Sequence, residues 1–503
     1  MATGRRDPSA GTTRREAPVG AGRRETLTGT GRREPPVAGA GRLGGGPAFD
    51  PAWGLATLRG LLARPLASYY LLLSSTGLLL VIGLAMVFSA TSVQSYADDG
   101  NAFALIAKQA TYAVFGLLAF WACQRLPART YRTLGTPLLV ASFVLLAVLD
   151  LLTLLAAARD DTETEKMQLG PIVADNLWLH LGPLQVQPSE LAKFTLVLWG
   201  ADVLVRKGAA IGWWRELATP LFVVVALLFV MVGYTDLGTM LCLIVLFLGL
   251  LWAAGVQLRV FSGMVLAALA GVVLLIKAPG KDGYRMDRLD AFVNPTSESC
   301  QQMYCYQAMQ GRYAIADGGW FGVGLGKGSL KWGYLPNGHN DFIFALIGEE
   351  LGVVGCLVVL ALFGVLTYTG LRIARRVADP YRRLAAAAVT AWLVGQATIN
   401  IGGVVGLLPI TGLPLPFISD GGSALVVTFA AVGMLASFAR AEPDAARALH
   451  ARPPARWVRL LWAPLPPLPA AARASGSVGP VARASGGAKP VARARPGGTG
   501  GRS

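Results

Sequence analysis

Charge is scarce in this sequence. Only 15% of its 503 residues are Asp, Glu, Lys or Arg, while 53% are hydrophobic, which excludes both an ordinary soluble domain and a disordered chain over most of the length. Cysteine is scarce too, and five Cys rule out a disulfide scaffold. Cys123, Cys242 and Cys356 fall in or beside apolar runs and read as small packing residues. Cys300 and Cys305 share one polar loop and could pair if that loop faces an oxidising compartment. The sequence also offers no metal-binding motif. A cleavable signal peptide is not expected, because the first apolar run begins only near Ser68, after a long Arg-rich leader.

What the chain has in plenty is continuous apolar sequence. Runs such as LFVVVALLFVMVG recur from Tyr69 to Ala439, and because they are unbroken rather than alternating they predict helices, not a barrel. Ten spans are expected, near 69–90, 109–126, 134–156, 191–205, 217–233, 239–254, 260–277, 351–369, 384–408 and 423–439. The fold class is therefore an all-α polytopic membrane protein. The segments CQRLPARTYR, VRKGAAIGWWR, VQLRV and RIARRVADPYRR are rich in Arg or Lys. The alternate loops, including SVQSYADDGN and DDTETEK, lean acidic. This alternation predicts that both termini are cytoplasmic.

The net charge of +16 is concentrated in the tails. Residues 1–67 hold eleven Arg against five acids, and residues 440–503 hold eleven Lys or Arg against two. The first tail repeats an Arg pair and an acid every nine residues, as in GRRETLTGT, and the second is a looser Pro/Ala/Arg/Gly repeat. Neither composition can bury a core. The expected organisation is a disordered basic tail at 1–67, a membrane domain at 68–440 and a disordered basic tail at 441–503. Charge confined to tails flanking a membrane domain fits cytosolic placement and contact with anionic lipid or a cytosolic partner, not nucleic acid.

Two outward loops, 157–190 and 278–350, exceed what antiparallel helices need, and long loops usually carry function. The second, between the seventh and eighth spans, closes on PNGHNDFIFALIGEELG, where His339, Asp341, Glu349 and Glu350 abut a segment that turns apolar. Acids beside hydrocarbon are costly and usually functional. In a helix begun at Asp341, the residues Ala345, Gly348, Gly352 and Gly355 fall within about 40° of Asp341 on either side. That is a small-residue stripe suited to close helix approach. The glutamates then lie off the stripe, Glu349 on its flank and Glu350 on the far side. The plainer alternative has Asp341 capping the helix and the glutamates at headgroup level.

Three stretches, KWGYLPNGHNDFIFALIGEELGVVG, LGPLQVQPSELAKF and GLLPITGLPLPFISDGGSA, together resemble the SEDS family, the FtsW/RodA/SpoVE proteins of bacterial wall synthesis. The first resembles the division branch more than the elongation branch. The resemblance covers roughly residues 68–440 and implies polymerisation of lipid II into glycan strands on the outer face of the bacterial cytoplasmic membrane, at the division septum. It implies as partners a class B penicillin-binding protein (a single-span transpeptidase), other division proteins and membrane lipids. It places Glu298, in NPTSES, where the family carries its proposed catalytic Asp. Arg285 and Arg288 match a basic pair suited to a diphosphate, and Lys193 in PSELAK is expected to meet an anionic ligand or Glu190. His339, Asp341 and Glu349 are expected to line the rim of the substrate cavity and hold the long loop over it. Ser419, in the third motif, joins the binding set. A divalent cation, Mg or Mn, is an expectation from diphosphate chemistry alone. The chain departs from the family where Glu298 replaces Asp, where Asn176 and Leu177 replace two arginines, and where Thr235 and Asp420 replace a Pro and a Tyr. A lipid II flippase and a non-catalytic scaffold remain the alternative functions.

Overall fold

The computed structural model describes residues 60, 62–158, 166–169, 172–175, 177–181, 184–208, 218–276, 292–293, 304–332, 335 and 338–468. Glu298, Arg285, Arg288 and Cys300 lie outside these residues, as do the N-terminal repeat and the end of the C-terminal tail.

A helix stands at each of the ten expected positions: α1 (Ala67–Asp99), α2 (Ala104–Arg125), α3 (Ala128–Ala158), α4 (Pro188–Lys207), α5 (Val223–Thr235), α6 (Leu237–Ala254), α7 (Leu258–Ile276), α9 (Ile343–Arg376), α10 (Pro380–Val404) and α11 (Ser423–Arg440). Between α7 and α9 lies α8 (Tyr304–Gly318), and α12 (Pro443–Ala451) and α13 (Arg456–Leu461) follow the bundle. Among the described residues, eight helices are by length and composition able to cross a membrane: α1–α3, α6, α7 and α9–α11. The apolar helix at 219–233 is shorter than these, and α4 carries Glu190, Lys193 and Asp202. These charges are tolerable because α4 faces protein: it packs against α3, α6, α10 and α11, and Lys193 is fully buried.

Local chemistry sets the helix ends. Pro188 and Pro380 occupy first turns, where a missing N–H costs nothing. Asp236 caps α6 through Thr239 N–H at 2.8 Å, and Asp379 caps α10 through Tyr381 N–H at 2.9 Å. Arg125, Arg206 with Lys207, Arg375 with Arg376, and Arg440 fall in the last turns of α2, α4, α9 and α11. There they complement the helix dipole and coincide with the ends that the charge bias assigns to the cytosol.

The loop before α4 holds a structure the sequence reading did not anticipate, a four-stranded antiparallel sheet in the order β1 (Lys166–Leu169), β2 (Ile172–Asp175), β3 (Trp178–Leu181) and β4 (Leu184–Val186). Each strand is three or four residues, too short to show alternation in so apolar a chain. Ala174 pairs with Leu179 across the sheet, and both are buried against Leu149 and Leu152 of α3.

The stripe of small residues also needs correcting. α9 begins at Ile343, after Asp341, and its N-cap residue Phe342 makes no side-chain capping bond. Gly352 breaks the helix at φ 70° and ψ −168°, so the face drawn through Gly355 is not continuous. The break frees backbone groups, and the segment after α8 satisfies them. Val323 and Gly324 N–H donate to the carbonyls of Glu349 and Glu350, while Val353 and Val354 N–H donate to those of Gly319 and Trp320, at 2.9–3.2 Å. Broken helices are tolerated at membrane depth only with this kind of replacement. Gly348, on the near side of the break, does serve close approach, packing against Ile315 of α8.

Candidate functional site

The three motifs, distant from one another in sequence, are joined at one end of the bundle by polar side chains of α10. Lys193 Nζ lies 2.6 Å from Glu190 Oε1 and donates to Gln396 Oε1 at 2.9 Å. It also sits 5.3 Å from the centroid of the Trp392 ring. Trp392 Nε1 donates to the same Gln396 oxygen at 2.8 Å, and Gln396 Nε2 donates to Pro414 O at 2.8 Å. One turn along, Asn400 Nδ2 donates to Asp341 O at 2.9 Å and to Leu413 O at 2.7 Å. The α4 motif, the loop before α9 and the loop before α11 thus meet on Gln396 and Asn400.

Ser419 completes the clamp. Its hydroxyl donates to Asn340 O at 2.6 Å and accepts from Leu415 N–H at 2.8 Å, while Asp420 N–H donates to His339 O at 3.2 Å. The Ser419 hydroxyl is therefore engaged in holding backbone to backbone. Phe417 in the same loop takes φ 68°, rare for a residue with a side chain, and its ring packs edge-on to Phe429 at 5.5 Å.

Glu349 is buried and accepts from Ser329 N–H at 2.6 Å and from the Ser329 hydroxyl at 2.8 Å, tying the 319–332 segment to α9. Glu350, which the sequence reading left out of the site, is as deeply buried and accepts from Ser89 Oγ of α1 at 2.7 Å. Between α1 and this segment opens a cavity of about 230 Å³, lined by Val93, Gln94, Lys331, Trp332, His339 and Leu346 among others. The structure thus places Glu190, Lys193, His339, Asp341 and Ser419 in one connected network and Glu349 on the adjacent flank.

Burial lowers the pKa of His339, partly offset by the nearby Asp420 carboxylate. Burial raises that of Asp420, opposed by His339 and Lys108. Among the described residues no group of three or more His, Cys, Asp or Glu could hold a metal ion, so they supply no ligand set for the divalent cation that diphosphate chemistry suggests. Cys305 is disulfide-bonded. Sequence reasoning missed Gln396 and Asn400, although two amides four residues apart in an apolar run are a legible signal.

Comparison with known proteins fits this convergence. Residues 70–443 match the FtsW/RodA/SpoVE family model, described as a cell cycle protein. A probable peptidoglycan glycosyltransferase FtsW from Mycobacterium tuberculosis is 40% identical over 407 residues, covering 80% of this chain and 74% of that protein. Stage V sporulation protein E of Bacillus subtilis is 34% identical over 372 residues, 74% of this chain and 96% of that protein. A chain from a solved peptidoglycan synthase complex that coordinates polymerization and crosslinking superposes with a TM-score of 0.56 at 25% identity, covering 74% of this chain and 97% of that one. A multi-pass helical chain that matches the family model over most of its length, with the three motifs gathered at one end, belongs to the FtsW/RodA/SpoVE family.

Proposed function

We propose that this protein is a peptidoglycan glycosyltransferase that polymerises lipid II at the outer face of the cytoplasmic membrane during septal wall synthesis, alongside a class B penicillin-binding protein. The observation that carries this reading is the meeting of the three motifs on Gln396 and Asn400, at the end of the bundle that the charge bias turns outward. Relatives at 40% identity bearing a peptidoglycan glycosyltransferase name support it.

In the proposed reaction a sugar 4-hydroxyl attacks the anomeric carbon of an α-linked lipid diphosphate. Glu298 accepts the hydroxyl proton, a C–O bond forms as the bond to the diphosphate oxygen breaks, and inversion gives a β-1,4 link. Arg285 and Arg288 take up the charge on the departing diphosphate. Glu190, Lys193, Asp341 and Ser419 hold the floor on which the loops rest, and His339 and Glu349 border the cavity.

The test is polymerisation of labelled lipid II by the purified protein, alone and with its transpeptidase. Glu298→Gln should cut polymerisation by about 10²–10⁴ with lipid II binding retained, and by more than Asp287→Asn or Asp290→Asn. Normal polymerisation by Glu298→Gln removes Glu298 as the base. Lipid II translocation without polymer favours the flippase, and neither activity favours the scaffold. Sidedness is tested separately: cysteines at 165, 282 and 330 should label from outside cells, and those at 130, 210 and 378 only after permeabilisation.

A further inference from the structure

At the opposite end of the bundle the chain folds back on itself in a way glycan chemistry does not require. After α11 and α12, the helix α13 and the residues just past it return to the last turns of α2 and the first turn of α1. The end of an α-helix leaves carbonyls without intrahelical donors, and those of α13 are met by side chains of α2. Arg125 Nη1 donates to Leu460 O at 2.5 Å and to Leu461 O at 2.9 Å, and Trp121 Nε1 donates to Leu461 O at 2.6 Å. Beyond the helix, Trp462 Nε1 donates to Tyr69 Oη at 2.6 Å, and Arg440 Nη2 reaches Ala463 O at 3.3 Å. The 456–463 segment is thus fixed beside the C-terminal end of α2.

Its outward face is apolar. Trp457, Leu460 and Leu461 are 66%, 70% and 65% exposed. At the helical period they span about 100° of arc, with Arg456 and Arg459 beyond one edge. Arg456 is exposed, and Arg459 Nε is buried with no hydrogen-bond partner among the described residues. The patch continues the exposed apolar surface of the neighbouring helices, which includes Tyr70, Leu118 and Trp121. Three large apolar side chains held in water by side-chain bonds would be a liability. The same chains at the edge of a bilayer, flanked by guanidinium groups, form an interfacial anchor.

We propose that α13 lies in the headgroup layer of the cytoplasmic leaflet, with Trp457, Leu460 and Leu461 inserted at the acyl boundary and Arg456 and Arg459 bound to anionic phospholipid. The choice of leaflet rests on the sidedness proposed above; the interfacial position does not. The remaining basic residues of the C-terminal tail, Arg473 onward, extend the same electrostatic attraction.

The test uses the full-length protein with Cys123→Ser and Leu460→Cys, carrying an environment-sensitive fluorophore at position 460, in nanodiscs of either phosphatidylcholine or phosphatidylcholine with phosphatidylglycerol. The expected result is a blue-shifted emission, several-fold lower quenching by aqueous iodide than for a label at Pro467, and quenching by brominated lipid. Anionic lipid should strengthen all three effects. Arg456→Glu with Arg459→Glu should abolish the difference between the two lipids, and Trp457→Ser with Leu461→Ser should restore iodide access. A label equally open to iodide in both nanodiscs overturns the proposal and leaves the face to a protein partner. Labelling at position 460 of the Leu460→Cys variant in intact cells by an impermeant thiol reagent, above the level of the parent protein and with lipid contact intact in nanodiscs, overturns the leaflet assignment alone.

Discussion

Gly318 and Gly348 bring α8 and α9 together backbone to backbone: a β-carbon on Gly318 would sit 1.9 Å from the Gly348 carbonyl oxygen. Backbone cannot swing aside as a side chain can, so Gly318→Ala should destabilise the protein by roughly 1–3 kcal/mol, the usual range for overpacking. Gly364→Ala, in the same helix α9 but with nothing within 4 Å, should instead stabilise by about 0.5–1 kcal/mol through helix propensity. Thermal unfolding of the two variants in detergent checks both signs.

The Glu190–Lys193 pair is 1% and 0% exposed, the setting in which removing one partner is worse than removing both. Lys193→Met should cost about 3–5 kcal/mol because it strands the Glu190 charge, while Lys193→Met with Glu190→Gln should recover a substantial part. A double-mutant cycle on unfolding free energies measures the coupling. Strict additivity would mean the pair is not energetically linked in the folded state.

Ser329 offers Glu349 both its N–H and its hydroxyl. Ser329→Ala removes only the hydroxyl and should cost about 1.5–3 kcal/mol, typical of a bond to a charged group. Glu349→Gln should cost at least as much, and the double variant should cost less than the sum. Limited proteolysis between α8 and α9 reports the effect locally: cleavage should accelerate in each single variant with the helices otherwise intact.

Acid sensitivity follows from His339. Its folded pKa lies below the ordinary value, so the unfolded chain takes up the proton first, and stability falls as pH drops from about 6.5 towards the lowered folded value. Asp420 acts in the other direction: its pKa is raised in the folded state, so its contribution falls as pH rises from the ordinary carboxylate range through the raised value. Because the Asp420 charge partly supports the imidazolium, Asp420→Asn should deepen the loss of stability between pH 7.5 and 5.5, and His339→Gln should remove the imidazole part of it. Unfolding midpoints at the two pH values decide the matter. An unchanged slope in His339→Gln would place the titrating group elsewhere.

The membrane helices were legible because the bilayer imposes a length and a composition on each, and the arginines at alternate ends marked their direction. The three motifs were legible as strings, yet what joins them was not, since Gln396 and Asn400 act on backbone carbonyls far away in sequence. The sheet at 166–186 escaped notice because strands of three or four residues carry too little pattern. The break at Gly352 escaped because glycine in a small-residue stripe reads equally well as close packing, and only the tertiary contact with residues 319–324 reveals that the helix has exchanged its own hydrogen bonds for a neighbour's. Helix geometry puts Glu350 on the far side from the stripe, and the structure gives that far side its own partner in Ser89.

The exchange at Gly352 bears on how this lineage can vary. Residues 319–324, which follow α8 directly, are pinned to α9 by four backbone bonds, so the stretch between Ile276, where α7 ends, and α8 finishes on anchored ground. Closing a loop costs only about 0.6 kcal/mol for each doubling of its length, so an added residue or two there is nearly free. That stretch contains Glu298, proposed above as the base. Substitutions and small insertions can be tried in it at little cost to the bundle, so the stretch that carries the proposed base is also one that evolution can edit at low risk to the fold.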